Sequence, residues 1–307
     1  MNSRQNTLPL GTVLAAIDIG SNAIRLLLSR VFEDKNLIVF HKEELIRMAI
    51  RLGEDVFLQG KISDEKIQRL IHAMKAYHHI LQVYHVKHYK AVATSAMRDA
   101  TNGKEVIQLL EKQTNIKIEI LDGKTEAYLI FANHIEEILD PDKAYMYIDV
   151  GGGSTEMTIY NKHKVIVSKS FNIGTLRLLY NKVEETVWND MKQWIKTHTQ
   201  GIYPLYAIGS GGNINKLYKM SGKKENKSLG YNKLKGLYEM LQSYTYEERI
   251  KLLGLKPDRA DVIVPAAKIY LTVMKMANIE KIYVPQIGLS DGVIHQLYED
   301  IRLSDTQ

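Results

Sequence analysis

The sequence predicts an α/β protein made of two similar lobes with a cleft between them, and three observations support this. Segments with strand and helix patterns alternate over most of the 307 residues, as they do in α/β proteins. A chain of this length suggests two domains, each large enough to bury its own core. The segments IDIGSNAIRLLL (17–28) and IDVGGGSTEMTI (148–159) repeat one pattern of strand, small-residue turn and strand. Two copies of one unit imply two related lobes.

The composition excludes several classes of protein. Hydrophobic residues make up 45% and charged residues 25% of the chain, which is ordinary for a globular protein. No apolar run approaches the ~18 residues that span a bilayer, and residues 1–10 lack the pattern of a secretory signal. The chain has no cysteine, which excludes disulfides, thiolate zinc sites, iron–sulfur clusters and a cysteine nucleophile. We expect a cytoplasmic protein with neither a membrane nor a nucleic-acid partner.

In the first half, strands are predicted at 12–19 and 24–31, followed by a charged turn and a further apolar strand. A helix over 63–84 begins at the N-cap Ser63. Its apolar stripe consists of Ile67, Leu70, Ile71, Met74, Tyr77 and Leu81. The remaining elements of this half are a strand at 88–94, a helix near 105–113, a strand at 116–121 and a helix over 124–139. The Asp140-Pro141-Asp142 break marks a domain boundary.

The second half repeats this plan. Its predicted elements are a strand pair over 145–169, a helix over 184–198, a strand at 206–209, further helices, a strand at 282–285 and a final helix from about 291.

The two repeated turns have the features of phosphate-binding turns. Glycine lets a phosphate approach the backbone closely, and the side chains of Ser21, Asn22, Ser154 and Thr155 add hydrogen-bond donors. In both copies an aspartate, Asp18 or Asp149, ends the first strand. A carboxylate beside a phosphate is unfavourable unless a cation lies between them, so both are candidate Mg²⁺ ligands. The alternative is that each aspartate only caps its turn.

A third glycine turn, at 209–213, follows a strand and opens a helix, so it is a further candidate phosphate site. A lysine-rich run over 213–235 begins at its end, with seven lysines against Glu225. Such a run attracts polyanions, although most runs of this kind are solvated loops. The position of this run beside a phosphate turn favours a polyanion track.

Two further residues are candidates for chemistry. Arg98 follows a strand end among small residues, a usual setting for an arginine that binds phosphate oxygens. A surface salt bridge is an equal alternative. Glu126 lies at the start of a helix, where a carboxylate is either a general base or a partner of the helix dipole.

Taken in order, the segments IDIGSNAIRLLL, AVATSAMRDATN, LDGKTEAYLIF, YIDVGGGSTEM, AIGSGGNINKL and PDRADVIVPAA resemble the exopolyphosphatase and guanosine pentaphosphate phosphohydrolase family, in its short two-domain form. The resemblance implies ribonuclease-H-like lobes of the actin, sugar-kinase and chaperone-ATPase superfamily. It also implies that the last helix crosses back onto the first lobe. The predicted lobes are therefore 12–139 plus 291–307, and 140–290.

The resemblance also implies site residues. It gives Glu126 as the catalytic glutamate, Arg98 as a phosphate-facing arginine, and Asp149 and Glu156 as groups linked to Mg²⁺ or another divalent cation, beside Asp18. Together with the glycine turns, the expected phosphate-binding residues are Gly20, Ser21, Asn22, Gly151, Gly152, Gly153, Ser154, Thr155, Gly209, Ser210, Gly211 and Gly212.

The chain departs from the family pattern at four positions: Tyr128 where an arginine is usual, Thr125 where a glutamate is usual, Asn213, and Ser290. We expect an exopolyphosphatase that takes part in the stringent response. The alternatives are a guanosine pentaphosphate hydrolase, a kinase of the same superfamily, and a non-catalytic sensor of an alarmone or polyphosphate. A homodimer would extend a basic groove.

Overall fold

The computed structural model describes residues 11–34, 37–133, 140, 142–162, 164–224 and 227–305. Two mixed β-sheets, each covered by helices, face each other across a cleft. This architecture confirms the predicted fold class of two α/β lobes. Among the described residues, no helix combines the length and hydropathy needed to cross a bilayer.

The first sheet has five strands, which are β1 (Thr12–Ile19), β2 (Ile24–Asp34), β3 (Leu37–Met48), β4 (His88–Ala93) and β5 (Ile118–Ile120). Their order is β3-β2-β1-β4-β5; the first three are antiparallel, whereas β4 and β5 run parallel to β1. The helices of this part of the chain are α1 (Leu52–Gln59), α2 (Asp64–Val83), α3 (Ser95–Asp99), α4 (Gly103–Thr114) and α5 (Gly123–Phe131).

The second sheet has six strands, which are β6 (Ala144–Val150), β7 (Thr155–Asn161), β8 (Lys164–Phe171), β9 (Leu205–Ser210), β10 (Leu229–Gly230) and β11 (Lys281–Tyr283). The helices that follow β8 are α6 (Thr175–Leu179), α7 (Glu185–Thr199), α8 (Gly212–Met220), α9 (Tyr231–Ser243), α10 (Tyr246–Lys251), α11 (Pro257–Ala260), α12 (Ile263–Met276) and α13 (Leu289–Asp305).

The two sheets share one topology. The second sheet has the order β10-β11-β9-β6-β7-β8, with β6, β7 and β8 antiparallel and β9 and β11 parallel to β6. Strands β6, β7, β8, β9 and β11 therefore correspond to β1 to β5, and β10 is an additional edge strand. The internal repeat in the sequence is thus a repeat in the fold, as the ribonuclease-H-like resemblance implies.

Local sequence signals account for much of this structure. Helix α2 begins after Ser63, whose Oγ accepts a hydrogen bond from the Lys66 backbone N–H at 3.4 Å, and the whole predicted apolar stripe of the helix is buried. The short helices α1, α3 and α6 were not predicted. The helix predicted over 124–139 ends at Phe131, and its last six predicted residues, 134–139, lie outside the described part of the chain.

Helix α13 returns to the first sheet after the chain has completed the second. Its Val293, Ile294 and Tyr298 are buried in a cluster that includes Leu14 and Val92 of that sheet. At Gly292 the helix approaches the Leu129 carbonyl so closely that an added Cβ would collide with it. The boundary predicted at 139/140 adjoins residues outside the described ranges, and the division into lobes stays a prediction.

Candidate active site

The turns after β1 and β6 meet in the cleft between the lobes. Backbone hydrogen bonds close both turns in the same way, from Gly20 N to Ala23 O at 3.1 Å and from Gly151 N to Ser154 O at 2.9 Å. A Cβ built on Gly152 would lie 2.9 Å from Cβ of Ser21, so the turns touch and glycine is required there. They border a cavity of about 160 Å³.

The third glycine turn closes the cavity from the side of the second lobe. Gly211 has a φ of +92°, which favours glycine, and a Cβ there would lie 2.6 Å from Oδ1 of Asp149. Gly212 begins α8 and also lines the cavity. The three predicted turns are therefore brought together around one space.

Several of the predicted phosphate-binding residues support the turns from behind and do not line the cavity. Gly153 packs against Ser95, and Gly209 packs against Ile282. Thr155 is buried and its Oγ1 donates a hydrogen bond to the Ile173 carbonyl. Ser210 is also buried. Those that do line the cavity are Gly20, Ser21, Asn22, Gly151, Gly152, Ser154, Gly211 and Gly212.

Helix α5 carries Glu126 to the cavity. Asp122 is its N-cap and accepts a hydrogen bond from the Thr125 backbone N–H at 2.7 Å, which places Glu126 in the first turn. Glu126 is only 6% exposed. Burial, and next the charge of Glu156, raise the pKa of Glu126 well above its ordinary value, whereas Arg98 opposes the rise.

Arg98 contacts Glu126 and is not among the residues that line the cavity. Its Nη1 donates to the Leu121 carbonyl at 2.7 Å and lies 3.4 Å from Oε2 of Glu126. The structure thus shows Arg98 in an ion pair with the candidate base, and the phosphate-facing role that the resemblance implies stays a prediction.

The two carboxylates of the second lobe are neighbours across β6 and β7. Asp149 and Glu156 are register partners. Burial raises the pKa of Asp149; burial, followed by the charge of Asp149, raises the pKa of Glu156 to about 7. Ser170 Oγ donates to Oε1 of Glu156 at 2.8 Å. The other oxygen of Glu156 and Oδ1 of Asp149 are buried without a hydrogen-bond partner.

These two unpartnered oxygens fit a hard divalent cation, which prefers oxygen ligands. In the described ranges, no three acidic or histidine side chains are close enough to hold a metal among themselves. A Mg²⁺ ion here would complete its shell with water and phosphate oxygens, as it commonly does. Asp18 is less free to join it, because its Oδ2 already accepts from Nη1 of Arg25 at 2.6 Å.

The sequence analysis missed the cations of the cavity wall. Asp18, Arg25 and Arg47 form a row across β1, β2 and β3, because each is the register partner of the next. Both arginines line the cavity together with Lys42 and Arg259. Arg25 could have been found from the sequence, because it is a charged residue just after a turn and inside the apolar strand IRLLL. Arg259 lies in the family segment PDRADVIVPAA, but no local pattern gives it a role, since it reaches the cavity only through the tertiary fold.

The arrangement can bind and hydrolyse a phosphorylated compound. Backbone N–H groups of facing turns and a row of arginines suit phosphate oxygens. Two carboxylates are set to hold a cation, and a third, with a raised pKa, is buried beside them. Such a set supplies the positioning and charge neutralisation that phosphoryl transfer needs.

Comparisons with known proteins agree with this geometry. The Ppx/GppA phosphatase family matches residues 37–300. The bifunctional 3-dehydroquinate synthase/phosphatase of Fusobacterium nucleatum is 36% identical over 195 residues, which are 59% of this chain and 29% of that protein. Exopolyphosphatase 2 of Mycobacterium tuberculosis is 33% identical over 175 residues, which are 54% of each protein. This chain therefore spans less than a third of the first relative and about half of the second.

A solved structure covers more of the chain. The crystal structure of an exopolyphosphatase from Cytophaga hutchinsonii is 26% identical, with a TM-score of 0.82 over 94% of this chain and 98% of that one. The family match, the motifs and the shared fold lead to one conclusion: the chain belongs to the Ppx/GppA phosphatase family.

Proposed function

We propose that this protein is an exopolyphosphatase, which hydrolyses the terminal phosphoanhydride bond of inorganic polyphosphate and releases orthophosphate. One observation carries the proposal: the carboxylate of Glu126 is buried beside the cavity where two phosphate-binding turns face each other. The family membership supports it, and so does the similarity to the exopolyphosphatases of M. tuberculosis and C. hutchinsonii.

Asp149 and Glu156 would hold the divalent cation, through the two carboxylate oxygens that lack hydrogen-bond partners. When bound, Mg²⁺ neutralises charge on the transferring phosphoryl group. Ser170 fixes the other oxygen of Glu156 by its hydrogen bond of 2.8 Å, so the free oxygen keeps one orientation.

Glu126 accepts a proton from the attacking water in this mechanism. Its raised pKa makes the carboxylate of Glu126 a stronger base than that of an exposed glutamate. Arg98 holds one oxygen of the carboxylate and favours its ionised form. Glu126 lines the cavity, so it reaches a water bound there. Its burial shields it from bulk solvent.

The turns and the cationic wall hold the substrate. Backbone N–H groups of the facing turns stabilise the terminal phosphate. The next phosphates of the chain meet Arg25, Arg47 and Arg259, which line the same cavity. With the terminal phosphate at the turns and the next phosphates at the arginines, the terminal anhydride bond lies beside Glu126.

The lysine-rich run favours a long polyanion over guanosine pentaphosphate, the second candidate substrate. It begins on α8, whose first residues line the cavity. Four lysines of the run are exposed and form no ion pair within the described residues: Lys219, Lys223, Lys224 and Lys227. Lys235, in contrast, pairs with Glu239 at 3.6 Å. Glu225, the acidic residue of the run, lies outside the described part of the chain.

Phosphate release from long-chain polyphosphate, with and without Mg²⁺, tests the activity. We expect Mg²⁺-dependent release that falls at least ~10²-fold in Glu126→Gln, and does not fall in the exposed control Glu119→Gln. Release that survives Glu126→Gln would place the base elsewhere. No release by the natural sequence would refute the exopolyphosphatase proposal and direct the test to guanosine pentaphosphate.

The substrate choice has its own test, with Lys219, Lys223, Lys224 and Lys227 all replaced by glutamine. We expect KM for long polyphosphate to rise by about tenfold, with a weaker dependence on salt, and KM for guanosine pentaphosphate to stay unchanged. The matched control replaces four exposed lysines of the first lobe, Lys75, Lys104, Lys112 and Lys117. Equal effects of both sets on long polyphosphate would refute the track.

With this activity we also propose a cytoplasmic location, a part in the stringent response, and no nucleic-acid partner. A homodimer would extend the lysine surface, and analytical ultracentrifugation with and without polyphosphate tests it.

A further inference from the structure

Arg259 lines the cavity, and the charge of Asp258 offsets its positive charge only in part. It belongs to the four-residue helix α11, and its Nη2 would lie 3.1 Å from a Cβ built on Gly212 of the third glycine turn. Among the described residues, its guanidinium makes no hydrogen bond or ion pair. Burial, and next the charge of Arg47, lower the pKa of Arg259. Something other than an ionic partner must therefore keep this side chain in place.

The residues beside Arg259 are tied to the opposite lobe. Asp258 forms an ion pair with Arg47 of β3, and the backbone carbonyl of Asp258 accepts a hydrogen bond from Nδ2 of Asn22 at 3.0 Å. Asp261 accepts from Nη1 of Arg51 at 2.7 Å. Both aspartates thus join α11 to the first lobe, one on each side of Arg259.

The donors are themselves fixed to the first phosphate-binding turn. The Arg51 backbone N–H donates to the Asn22 carbonyl at 3.0 Å. Nη2 of Arg51 donates to the Tyr180 hydroxyl at 3.0 Å, and the Arg51 carbonyl accepts from Nζ of Lys66 at 2.9 Å. Arg51 holds this place with a φ of +59°, a conformation that a residue other than glycine adopts at a cost. Its guanidinium therefore has little freedom to follow a displaced Asp261.

We propose that Asp258 and Asp261 are positioning residues, whose ion pairs with Arg47 and Arg51 hold Arg259 in the cavity at a set distance from the turn that contains Asn22. Loss of Asp258 removes the negative charge that offsets the repulsion between Arg47 and Arg259, and that repulsion moves Arg259 away. Loss of Asp261 releases the other end of α11. This inference rests on the proposed function only where the binding of polyphosphate is measured.

A double-mutant cycle tests whether the aspartates act through Arg259. We expect Asp258→Asn and Asp261→Asn each to raise KM for polyphosphate by about tenfold, the cost of one lost charged contact, with kcat within about threefold of the natural sequence. In an Arg259→Ala background, each aspartate change should add less than about twofold, because coupled residues are not additive. Full additivity would refute the proposal.

The control is Asp190→Asn, which removes an exposed ion pair with Lys169; neither residue lines the cavity. It makes the same change of charge and should leave KM unchanged in both backgrounds. Asp261→Glu keeps the charge and should restore most of the affinity that Asp261→Asn loses.

Hydrogen exchange gives a readout that needs no turnover. We expect exchange in peptides that cover 257–262 to quicken at least tenfold in Asp258→Asn and Asp261→Asn, while peptides of α9 stay unchanged. If the natural sequence releases no phosphate, the proposed function is wrong, but the hydrogen-exchange measurement still tests the positioning of Arg259. Unchanged exchange over 257–262 would refute the positioning whatever the activity.

Discussion

Replacing Glu156 with glutamine should make the metal-free protein more stable at alkaline pH. Burial, and next the charge of Asp149, raise the pKa of Glu156 to about 7 from 4.5. The folded protein therefore holds this proton more tightly than the unfolded chain. The stabilisation that this proton gives is complete below the pKa of Glu156 in the unfolded chain. It declines as the pH rises towards the pKa of Glu156 in the folded protein, and it is lost above that pKa.

The magnitude follows from that shift. One pKa unit corresponds to ~1.4 kcal/mol, so the ionised carboxylate costs the folded protein at most ~3 kcal/mol at pH 8. Glutamine has no such proton, and its Oε1 can still accept the hydrogen bond that Ser170 donates at 2.8 Å. Glu156→Gln should therefore gain up to this amount at pH 8 and nothing at pH 4.

Urea denaturation with EDTA, at pH 4 and pH 8, measures the difference. Saturating Mg²⁺ should reverse the order at pH 8, because a cation bound only by the folded protein stabilises the natural sequence. The same variant should lose Mg²⁺-dependent phosphate release. If Glu156→Gln were equal to the natural sequence or less stable at pH 8 in EDTA, the inferred cost of ionising this buried carboxyl beside Asp149 would be wrong.

Three further predictions address the base, its arginine and the packing of the last helix. With Mg²⁺ present, kcat/KM should fall as pH drops through the raised pKa of Glu126, since a protonated carboxyl accepts no proton; a profile that stays flat down to pH 4 would contradict this. Arg98→Ala removes the cation that opposes the rise, so the acidic limb of that profile should move to higher pH, and an unmoved limb would show that the arginine does not act on Glu126. Gly292→Ala should lower the free energy of unfolding by about 1–3 kcal/mol through overpacking against α5. The control Gly236→Ala, where a Cβ meets no atom within 4 Å, should raise that free energy by about 0.5–1 kcal/mol. Thermal unfolding measures both variants, and equal effects would contradict the close contact at Gly292.

The fold was predictable where the information is local. The hydrophobic patterns of β1 and α2, the Ser63 cap and the two repeated turns all lie in short segments, and the structure has them where they were expected. The short helices α1, α3 and α6 were missed, because five to eight residues carry too little periodicity to separate a helix from a loop. Helix α11 shows the same limit at its four residues.

The candidate site was predictable only in part, for a different reason. Glycine turns and their aspartates repeat in the sequence, so Asp18 and Asp149 could be singled out. The contact of Arg98 with Glu126, and the entry of Arg259 into the cavity, join residues that are far apart in the chain. Arg259 lies in the segment PDRADVIVPAA, which carries the family resemblance, but no local pattern indicates that its side chain enters a cavity. Asn22 and Arg47, which face its helix, precede it by more than two hundred residues.

The return of α13 to the first sheet has a consequence for synthesis on the ribosome. The face of that sheet that contains Leu14 and Val92 is covered by Val293 and Tyr298, which are translated after nearly all of the second lobe. During translation this face lacks its contacts with α13 until the last helix has been synthesised. The first lobe, although begun first, is therefore completed last, and a nascent chain halted before residue 289 lacks the helix that completes the cover of this face.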